Sequence, residues 1–299
     1  MNISKICLGT AQLGMQYGIA NNTTPTKKNA TKILEYASNH GINSFDTAQV
    51  YGNSEEILGQ FLKKTKKSTI VISKIPKITF KQRHPDFHQV YDSIKKSVIM
   101  STRKLGVKKL SICLLHNPSD LDRYDGFVEK SLIRLEKDKI VNKIGISAYT
   151  SKEIKRFLEM KKLDVIQVPV NILDTRLIKN SLLEELSAEN NLIFARSVFL
   201  QGLVFLDTNK LPKNLLGFST NLKKIKKICL ENNLTVQQLA LLFVRDLQEI
   251  TSLIIGVDTI SQLRQNIKLL SMPPLPTNVN EEILEIKTLS EKLLNPSNW

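Results

Sequence analysis

The chain has 299 residues, of which 41% are hydrophobic and 24% are charged, and its formal net charge at pH 7 is +15. The composition is that of a globular protein of one large domain or two smaller ones, and it excludes fibrous and intrinsically disordered chains. Lysines supply most of the charge and are spread over nearly every predicted helix without interleaved aromatic residues, which favours a solvated basic surface over nucleic-acid binding.

Eight short apolar segments bounded by turn residues predict β-strands along the chain. In order they are 5–11, 42–46, 69–74, 110–116, 143–149, 165–171, 192–199 and 252–257. Amphipathic helices are predicted between and after these strands, where apolar residues recur with helical spacing. These helices are 27–39, 54–64, 87–105, 124–140, 151–162, 180–190, 221–231, 235–247, 259–270 and 280–294.

This alternation of elements predicts a fold of the α/β class. Eight strands alternating with helices, without a break in composition, are typical of a single (β/α)8 barrel over residues 1–299, here with extra C-terminal helices. A doubly wound open sheet is the alternative. It is disfavoured because no glycine-rich dinucleotide-binding loop follows any predicted strand. The segment 200–220 shows no clear period.

Several classes of protein are made improbable by what the sequence lacks. Three cysteines, odd in number and far apart, argue against a disulfide framework. No cluster of cysteine, histidine and carboxylate residues has metal-site spacing, so we expect no metal ion. No apolar run approaches the length of a membrane span and no signal peptide precedes the first strand, so we expect a cytoplasmic protein without a membrane partner.

Three consecutive predicted strands end in ionisable residues. The second strand ends at Asp46, the third at Lys74 and the fourth at His116. Tyr51 lies five residues after Asp46, on the loop that follows the second strand. The carboxyl ends of barrel strands meet on one face, so these side chains are expected to lie together. Because a carboxylate at the end of a buried strand is costly unless it is paired or used, the set predicts an acid–base site.

Each of these four residues taken alone has a simpler explanation. Asp46 and Lys74 could form a structural ion pair, with Tyr51 and His116 as hydrogen-bonded polar groups of the core. All four at the ends of barrel strands favour catalysis instead. In a carbonyl reduction, a phenol with an ordinary pKa of about 10 could supply the proton from Tyr51. Lys74 would favour the phenolate, Asp46 would pair with Lys74, and His116 would orient the substrate oxygen.

The segment from Asp46 to Gly52 reads Asp-Thr-Ala-Gln-Val-Tyr-Gly. Together with Lys74 and His116, it resembles the catalytic signature of the aldo-keto reductases. The resemblance covers nearly the whole chain. It implies a TIM barrel that binds extended NADP(H), or alternatively NAD(H), across its C-terminal face. It also implies an NAD(P)(H)-dependent oxidoreductase that interconverts a small-molecule carbonyl compound and an alcohol.

The resemblance also implies a set of cofactor-binding residues. By position along the chain these are Ser147, Gln167, Arg196, Ser197, Leu200, Gly202, Gly256, Thr259, Gln262 and Asn266. Ser147 and Gln167 would hydrogen-bond the nicotinamide carboxamide. Many family members supply a further hydrogen bond from an asparagine beside the serine, but this chain has Ala148 at that position. Arg196 stands where many members stack a tyrosine under the nicotinamide. The segment 197–202 would cradle the pyrophosphate, and the last two residues of the set would meet the adenosine.

The residues after the eighth strand bear on the choice of dinucleotide. Gly256, Val257 and Gln262 replace basic or hydroxyl residues that many family members direct at the 2′-phosphate of NADP(H). Asp258 would repel that phosphate, although Thr259 and the helix N-terminus could donate hydrogen bonds to it. We therefore predict that NADPH binds with less than about 100-fold preference over NADH, or ~2.7 kcal/mol.

The opening segment 9–18 and the residues after His116 resemble a bacterial subgroup associated with surface-sugar pathways. We therefore predict a polar, sugar-like substrate, whose anionic form would suit the basic surface. Met15, Tyr17 and Trp299 are candidates for the substrate pocket, with simple packing of the tail as the alternative for Trp299. The alternative function is a regulatory subunit that senses redox state through NADPH occupancy with little turnover, like the barrel-shaped β subunits of potassium channels. The oligomeric state is left open.

Overall fold

The computed structural model of the protein describes residues 1–19, 24–80 and 84–299. All eight predicted strands form; seven are shorter than predicted, and the third keeps its predicted length but is shifted by one residue. They are β1 (Ile6–Gly9), β2 (Ser44–Asp46), β3 (Ile70–Ile75), β4 (Ile112–Leu115), β5 (Ile144–Ser147), β6 (Val165–Pro169), β7 (Leu192–Arg196) and β8 (Ser252–Gly256). Neighbouring strands pair in parallel in chain order, and β1 also pairs with β8, which closes the sheet. The predicted (β/α)8 barrel is confirmed.

The helices of the described residues alternate with the strands. They are α1 (Ala11–Gly14), α2 (Lys27–Asn39), α3 (Ser54–Leu62), α4 (Phe87–Leu105), α5 (Phe127–Lys137), α6 (Ser151–Leu158), α7 (Arg176–Lys179), α8 (Leu182–Ala188), α9 (Ser219–Glu231), α10 (Val236–Arg245), α11 (Ile260–Leu269), α12 (Thr277–Glu285) and α13 (Glu291–Leu294). None of these combines the length and the apolar character that crossing a bilayer requires.

Two long helices have the predicted bounds because their ends are strongly capped. Thr26 accepts a hydrogen bond from the backbone of Asn29 at the start of α2. Asp86 and Gln89 form a reciprocal capping box at the start of α4. Helix α4 ends at Leu105 and is capped by Gly106, whose φ of +66° is the left-handed conformation that terminates many helices.

The barrel interior is filled by side chains that alternate along the strands. Ile70 and Ile72 belong to an apolar cluster made of strand residues, together with Phe194 and Leu114. Residues two apart on a strand share a face, so Lys74 continues the inward column that Ile70 and Ile72 begin. A larger apolar cluster combines strand and helix residues between the two layers. Inward-facing polar residues at the strand ends, such as Lys74, therefore lie above the packed apolar interior of the barrel.

The predicted single helix 280–294 is wrong. The backbone leaves the helical path between α12 and α13, where it forms tertiary hydrogen bonds instead. Lys179 Nζ donates to the Ile286 carbonyl at 2.8 Å, and Asn221 Nδ2 donates to the Lys287 carbonyl at 2.8 Å. These partners are distant in sequence, so helical periodicity alone could not reveal the interruption.

Candidate active site

Asp46 and Lys74 form a buried ion pair at the carboxyl ends of β2 and β3. Lys74 Nζ lies 2.8 Å from Asp46 Oδ1 and 2.7 Å from Asp46 Oδ2. It also donates to the Thr47 carbonyl at 3.0 Å. Only 2% of Lys74 and 4% of Asp46 is exposed. Hydrogen bonds to the remaining lone pairs and protons are what make a pair so deeply buried tolerable.

Tyr51 is held beside this pair by a tightly packed loop. Its hydroxyl lies 3.4 Å from Lys74 Nζ, and that nitrogen is 4.9 Å from the ring centroid. Gly52 follows with a φ of +56°, and a Cβ there would collide with the Gly14 carbonyl. The Asn53 amide donates to the same carbonyl at 3.2 Å. This close approach fixes the loop against the turn after β1 and thereby positions the phenol.

His116 completes the predicted group of four. Its amide donates to the Ile75 carbonyl at 3.0 Å, so it continues directly from the end of β4. Its ring stands edge-on to that of Tyr51, with centroids 5.8 Å apart and an interplanar angle of 87°. Burial and the positive charges of Lys74 and Arg196 lower the pKa of His116 to about 3. The imidazole is therefore neutral at pH 7 and suited to hydrogen bonding.

The protonation states of Tyr51 and Lys74 follow from their surroundings. Burial raises the pKa of Tyr51, and the positive charge of Lys74 opposes that rise only in part. Burial on its own would lower the pKa of Lys74, but Asp46 and Tyr51 outweigh it and the pKa is raised. At neutral pH the phenol therefore holds its proton beside a charged ammonium.

Gln167 connects this group to the next part of the cleft. Its Nε2 donates to Asp46 Oδ1 at 2.5 Å, and its Oε1 is buried without a hydrogen-bond partner. Ser147 pairs with Gln167 across β5 and β6, and both line the cleft. An unpaired buried carbonyl oxygen beside a hydroxyl fits the donor and acceptor of a carboxamide. These two residues therefore fit the predicted nicotinamide end.

Arg196 ends β7 and lines the same cleft. Its guanidinium lies 3.7 Å from the centroid of the Tyr149 ring, and its Nη2 donates to the Ala148 carbonyl at 2.7 Å. A third contact joins Nη1 to Ser197 Oγ at 3.3 Å. Its Nε is buried and has no hydrogen-bond partner. The Arg196 guanidinium is thus stacked on the Tyr149 ring and also faces the cleft.

The segment after β7 has an unusual backbone. Ser197, Leu200, Gln201 and Gly202 all have positive φ, of +61°, +44°, +55° and +91°. Such conformations are costly for residues other than glycine and concentrate at ligand sites. The Ile19 amide donates to the Gln201 carbonyl at 3.0 Å, so the loop after β1 packs on this segment. All four residues line the cleft.

The far end of the cleft is lined by Gly256, Gln262 and Asn266. Thr259, by contrast, does not line it. Its hydroxyl accepts from the Gln262 amide at 3.2 Å and caps α11. Capping also occupies the Gln262 side chain, whose Oε1 accepts from the Asp258 amide at 2.7 Å. The side chain of Thr259 therefore caps helix α11, and the side chain of Gln262 takes part in the same capping box.

Asp258 is the ionisable residue at this end of the cleft. Its Oδ1 is buried and has no hydrogen-bond partner. Asn266 is 2% exposed and its Oδ1 is already taken by Gln237 Nε2 at 2.8 Å. Among the described residues, no lysine or arginine lines this end. This end of the cleft therefore offers a hydrogen-bond acceptor, Asp258 Oδ1, but among the described residues it offers no cationic side chain that could bind a phosphate.

One cleft of about 450 Å³ joins all these parts, from Tyr51 and His116 to Asn266. Polar side chains line it both near Tyr51 and His116 and near Asn266. Sequence reasoning missed several residues that line it, among them Gln12, Tyr149, Phe205 and Gln237. Tyr149 could have been found, because it ends the predicted fifth strand as the catalytic residues end theirs. The others lie beyond strand ends or on helices and gave no signal.

The three candidates for the substrate pocket differ. Tyr17 lines the cleft and is 37% exposed, whereas Met15 does not line it. Trp299 packs against Phe218, with ring centroids 5.7 Å apart, and its Nε1 donates to the Leu293 carbonyl at 2.8 Å. Trp299 therefore serves to pack the C-terminal tail.

In the described part of the chain, histidine, cysteine and carboxylate side chains form no group able to hold a metal ion.

A closed (β/α)8 barrel with a polar cleft at the carboxyl ends of its strands is the architecture that the sequence resemblance implies. The family model described as the Aldo/keto reductase family matches residues 5–288, so the chain belongs to this family. It is accordingly a nicotinamide-dependent oxidoreductase that interconverts carbonyl compounds and alcohols. The resemblance drawn from Asp46, Tyr51, Lys74 and His116 is confirmed at the level of the family.

Curated proteins and solved structures that are similar to this chain include the following three. NADH-specific methylglyoxal reductase of Escherichia coli (strain K12) is 25% identical, over 91% of this chain and 91% of that protein. D-threo-aldose 1-dehydrogenase of Pseudomonas sp is 27% identical, over 87% of this chain and 88% of that protein. The holo form of an aldo-keto reductase from Bacillus halodurans shares the fold, with a TM-score of 0.76 and 21% identity over 95% of this chain and 92% of that one.

Proposed function

We propose that Tyr51 donates the proton to the substrate oxygen during carbonyl reduction. The single observation that carries this proposal is the phenolic oxygen 3.4 Å from the buried Lys74 Nζ. The nicotinamide, when bound, supplies the hydride. As the phenol gives up its proton, the adjacent ammonium stabilises the phenolate, and Asp46 keeps the ammonium charged and fixed. In alcohol oxidation the same oxygen takes the proton back.

His116 orients the substrate in this proposal. Its pKa of about 3 leaves a neutral ring, so one ring nitrogen can donate a hydrogen bond to the substrate oxygen. A neutral ring would not compete with Tyr51 as the proton donor. The edge-on approach of the two rings supports an oxygen site reached by both. The two donors together would polarise the carbonyl before hydride transfer.

The cofactor site proposed for this chain follows the length of the cleft. Ser147 and the vacant Oε1 of Gln167 would hold the carboxamide. Backbone groups of the segment 197–202 would hold the pyrophosphate, since strained loops with oriented amides form anion sites. Gln262 and Asn266 would lie beside the adenosine. Thr259 is left with a capping role only.

The chain is proposed to use NADPH and NADH with less than about 100-fold preference for NADPH. Support comes from the lack of a lysine or arginine lining the adenosine end among the described residues. The buried, unpartnered Oδ1 of Asp258 would oppose a 2′-phosphate and accept from a ribose hydroxyl instead. Titration of both reduced cofactors by fluorescence quenching tests this. A larger preference for NADPH would contradict it.

The substrate is proposed to be a polar, sugar-like aldehyde or ketone. Support comes from the resemblance of segment 9–18 and of the residues after His116 to a subgroup associated with surface-sugar pathways. One relative is named for an aldose, and another is named for methylglyoxal. Side-by-side kinetics with aldoses and with hydrophobic aldehydes test the proposal. Faster turnover of the hydrophobic aldehydes would contradict it.

A broad screen of aldehydes and ketones with NADH and NADPH tests the function as a whole. Turnover that depends on the carbonyl compound is expected. Tight retention of the dinucleotide with no turnover of any compound would favour the regulatory subunit instead. Measuring cofactor binding separately from turnover keeps these two outcomes apart.

A further inference from the structure

Among the described residues, no carboxylate balances the positive charge of Arg196. Within the described residues, no Asp or Glu oxygen lies within 4.0 Å of its guanidinium, and it is the one arginine or lysine that lines the cleft. Lys74, the other nearby cation, is neutralised by Asp46 at 2.7 Å. The Nε of Arg196 is buried without a partner. The net charge at the centre of the cleft is therefore positive.

The guanidinium is held in place on its outer side. Tyr149 stacks at 3.7 Å and the Ala148 carbonyl accepts from Nη2 at 2.7 Å. These contacts keep the side chain from turning into solvent. Ala148 directly follows Ser147, so Arg196 is anchored beside the residues that fit the carboxamide. The positive charge of Arg196 also helps, after burial and Lys74, to lower the pKa of His116 on the substrate side of the cleft.

A bound nicotinamide has to lie within this field. Hydride transfer needs the reacting atoms about 3–3.5 Å apart, so the ring must touch a substrate held by Tyr51 and His116. Its carboxamide would rest on Ser147 and Gln167. The reduced ring is neutral, whereas the oxidised ring carries one positive charge. Like charges repel strongly where burial lowers the effective dielectric constant.

We propose that Arg196 makes the cofactor site bind the reduced dinucleotide more tightly than the oxidised one. The proposal rests on the proposed function, since it concerns the same cofactor. The unbalanced guanidinium disfavours the positively charged ring and leaves the neutral ring unaffected. Asp46 does not cancel this effect, because its charge is already matched by Lys74. Arg196 is therefore assigned a role in setting the balance between the two redox states of the bound cofactor.

The test compares dissociation constants rather than rates. Binding of NADH is measured by fluorescence, and binding of NAD+ by its competition with NADH. In Arg196→Gln the ratio of the NAD+ constant to the NADH constant is expected to fall about tenfold, while Arg196→Lys, which keeps the charge, retains most of the ratio. Arg264→Gln is the matched control. Arg264 is exposed on α11 and contacts Tyr36 outside the cleft, so its replacement should leave the ratio unchanged.

Other results would overturn the proposal. An unchanged ratio in Arg196→Gln would do so, as would a parallel rise of both constants, which would indicate a contact to the phosphates. A change confined to the KM of anionic substrates would assign Arg196 to the substrate instead. If the wild-type protein bound neither dinucleotide, the proposed function itself would fail.

A second test compares the binding of three ligands to the wild-type protein: NADH, NAD+ and ADP-ribose. ADP-ribose shares the adenosine and phosphates of the cofactor but lacks the nicotinamide. NADH is expected to bind more tightly than ADP-ribose because its ring adds contacts without repulsion. NAD+ is expected to bind no more tightly than ADP-ribose. Tighter binding of NAD+ than of ADP-ribose, by the same factor as NADH, would overturn the proposal even if Arg196→Gln failed to fold.

Discussion

Gln167 Nε2 donates a hydrogen bond to Asp46 Oδ1 at 2.5 Å across the floor of the cleft. This bond gives the carboxylate a second partner besides Lys74. It also orients the Gln167 amide so that its vacant oxygen remains for a ligand. One side chain thus connects the ion pair that serves Tyr51 to the proposed carboxamide site. The proposed proton donor and the proposed nicotinamide site are therefore connected through one hydrogen bond.

Replacing Tyr51 by Phe should remove turnover and leave cofactor binding nearly intact. The phenolic proton is removed, whereas the aromatic ring that packs beside Lys74 stays. We expect kcat to fall at least about 100-fold, as is usual when a positioned acid is removed. The measurement is steady-state kinetics together with dinucleotide titration. Tyr36→Phe, on α2 and outside the cleft, is the control, and persistent turnover in Tyr51→Phe would show that another group donates the proton.

Replacing Lys74 by Met should destabilise the fold as well as slow the reaction. The change leaves the 4%-exposed Asp46 without its cation, and breaking a buried pair from one side costs about 3 kcal/mol or more. Chemical unfolding measures the decrease in the free energy of unfolding. The double variant Asp46→Asn with Lys74→Met should recover part of it, because no buried charge is then left unpaired. Equal decreases in the single and double variants would contradict this account.

His116 should make the protein sensitive to mild acid. Its pKa is about 3 in the folded state and about 6.5 when unfolded, so between these values the unfolded state binds more protons. The stability due to the neutral ring is complete above pH 6.5 and is lost as the pH falls toward 3. Between pH 7.5 and 5 the wild type should lose about 1–2 kcal/mol more than His116→Gln. Parallel curves for the two proteins would contradict the prediction.

Replacing Asp258 by Ser should improve binding of NADPH relative to NADH. The buried carboxylate oxygen that would oppose a 2′-phosphate is removed, and a hydroxyl donor takes its place. We expect the ratio of the two dissociation constants to shift at least about tenfold toward NADPH. Asp92→Ser, which removes the same charge from the exposed side of α4, should leave the ratio unchanged. An unchanged ratio in Asp258→Ser would place the ribose hydroxyls elsewhere.

The sequence alone determined the barrel, the three ionisable residues at its strand ends and Tyr51 on the loop after β2. Strands are short apolar runs and helices are periodic, and both signals are local, so the order of elements could be predicted. Asp46, Lys74 and His116 come together because parallel barrel strands present all their carboxyl ends on one face. Their proximity is a consequence of topology and needs no side-chain detail.

Only the tertiary structure decided which partner each polar group takes. Gln167 and Asp46 are 121 residues apart, and no sequence pattern predicts that they bond. Thr259 looked like a phosphate ligand but caps a helix, and Arg196 lies on Tyr149, a ring no motif had marked. Such choices depend on barrel closure and on rotamers fixed by packing. Hydrogen bonds between distant residues form only when the whole fold sets their distance and direction.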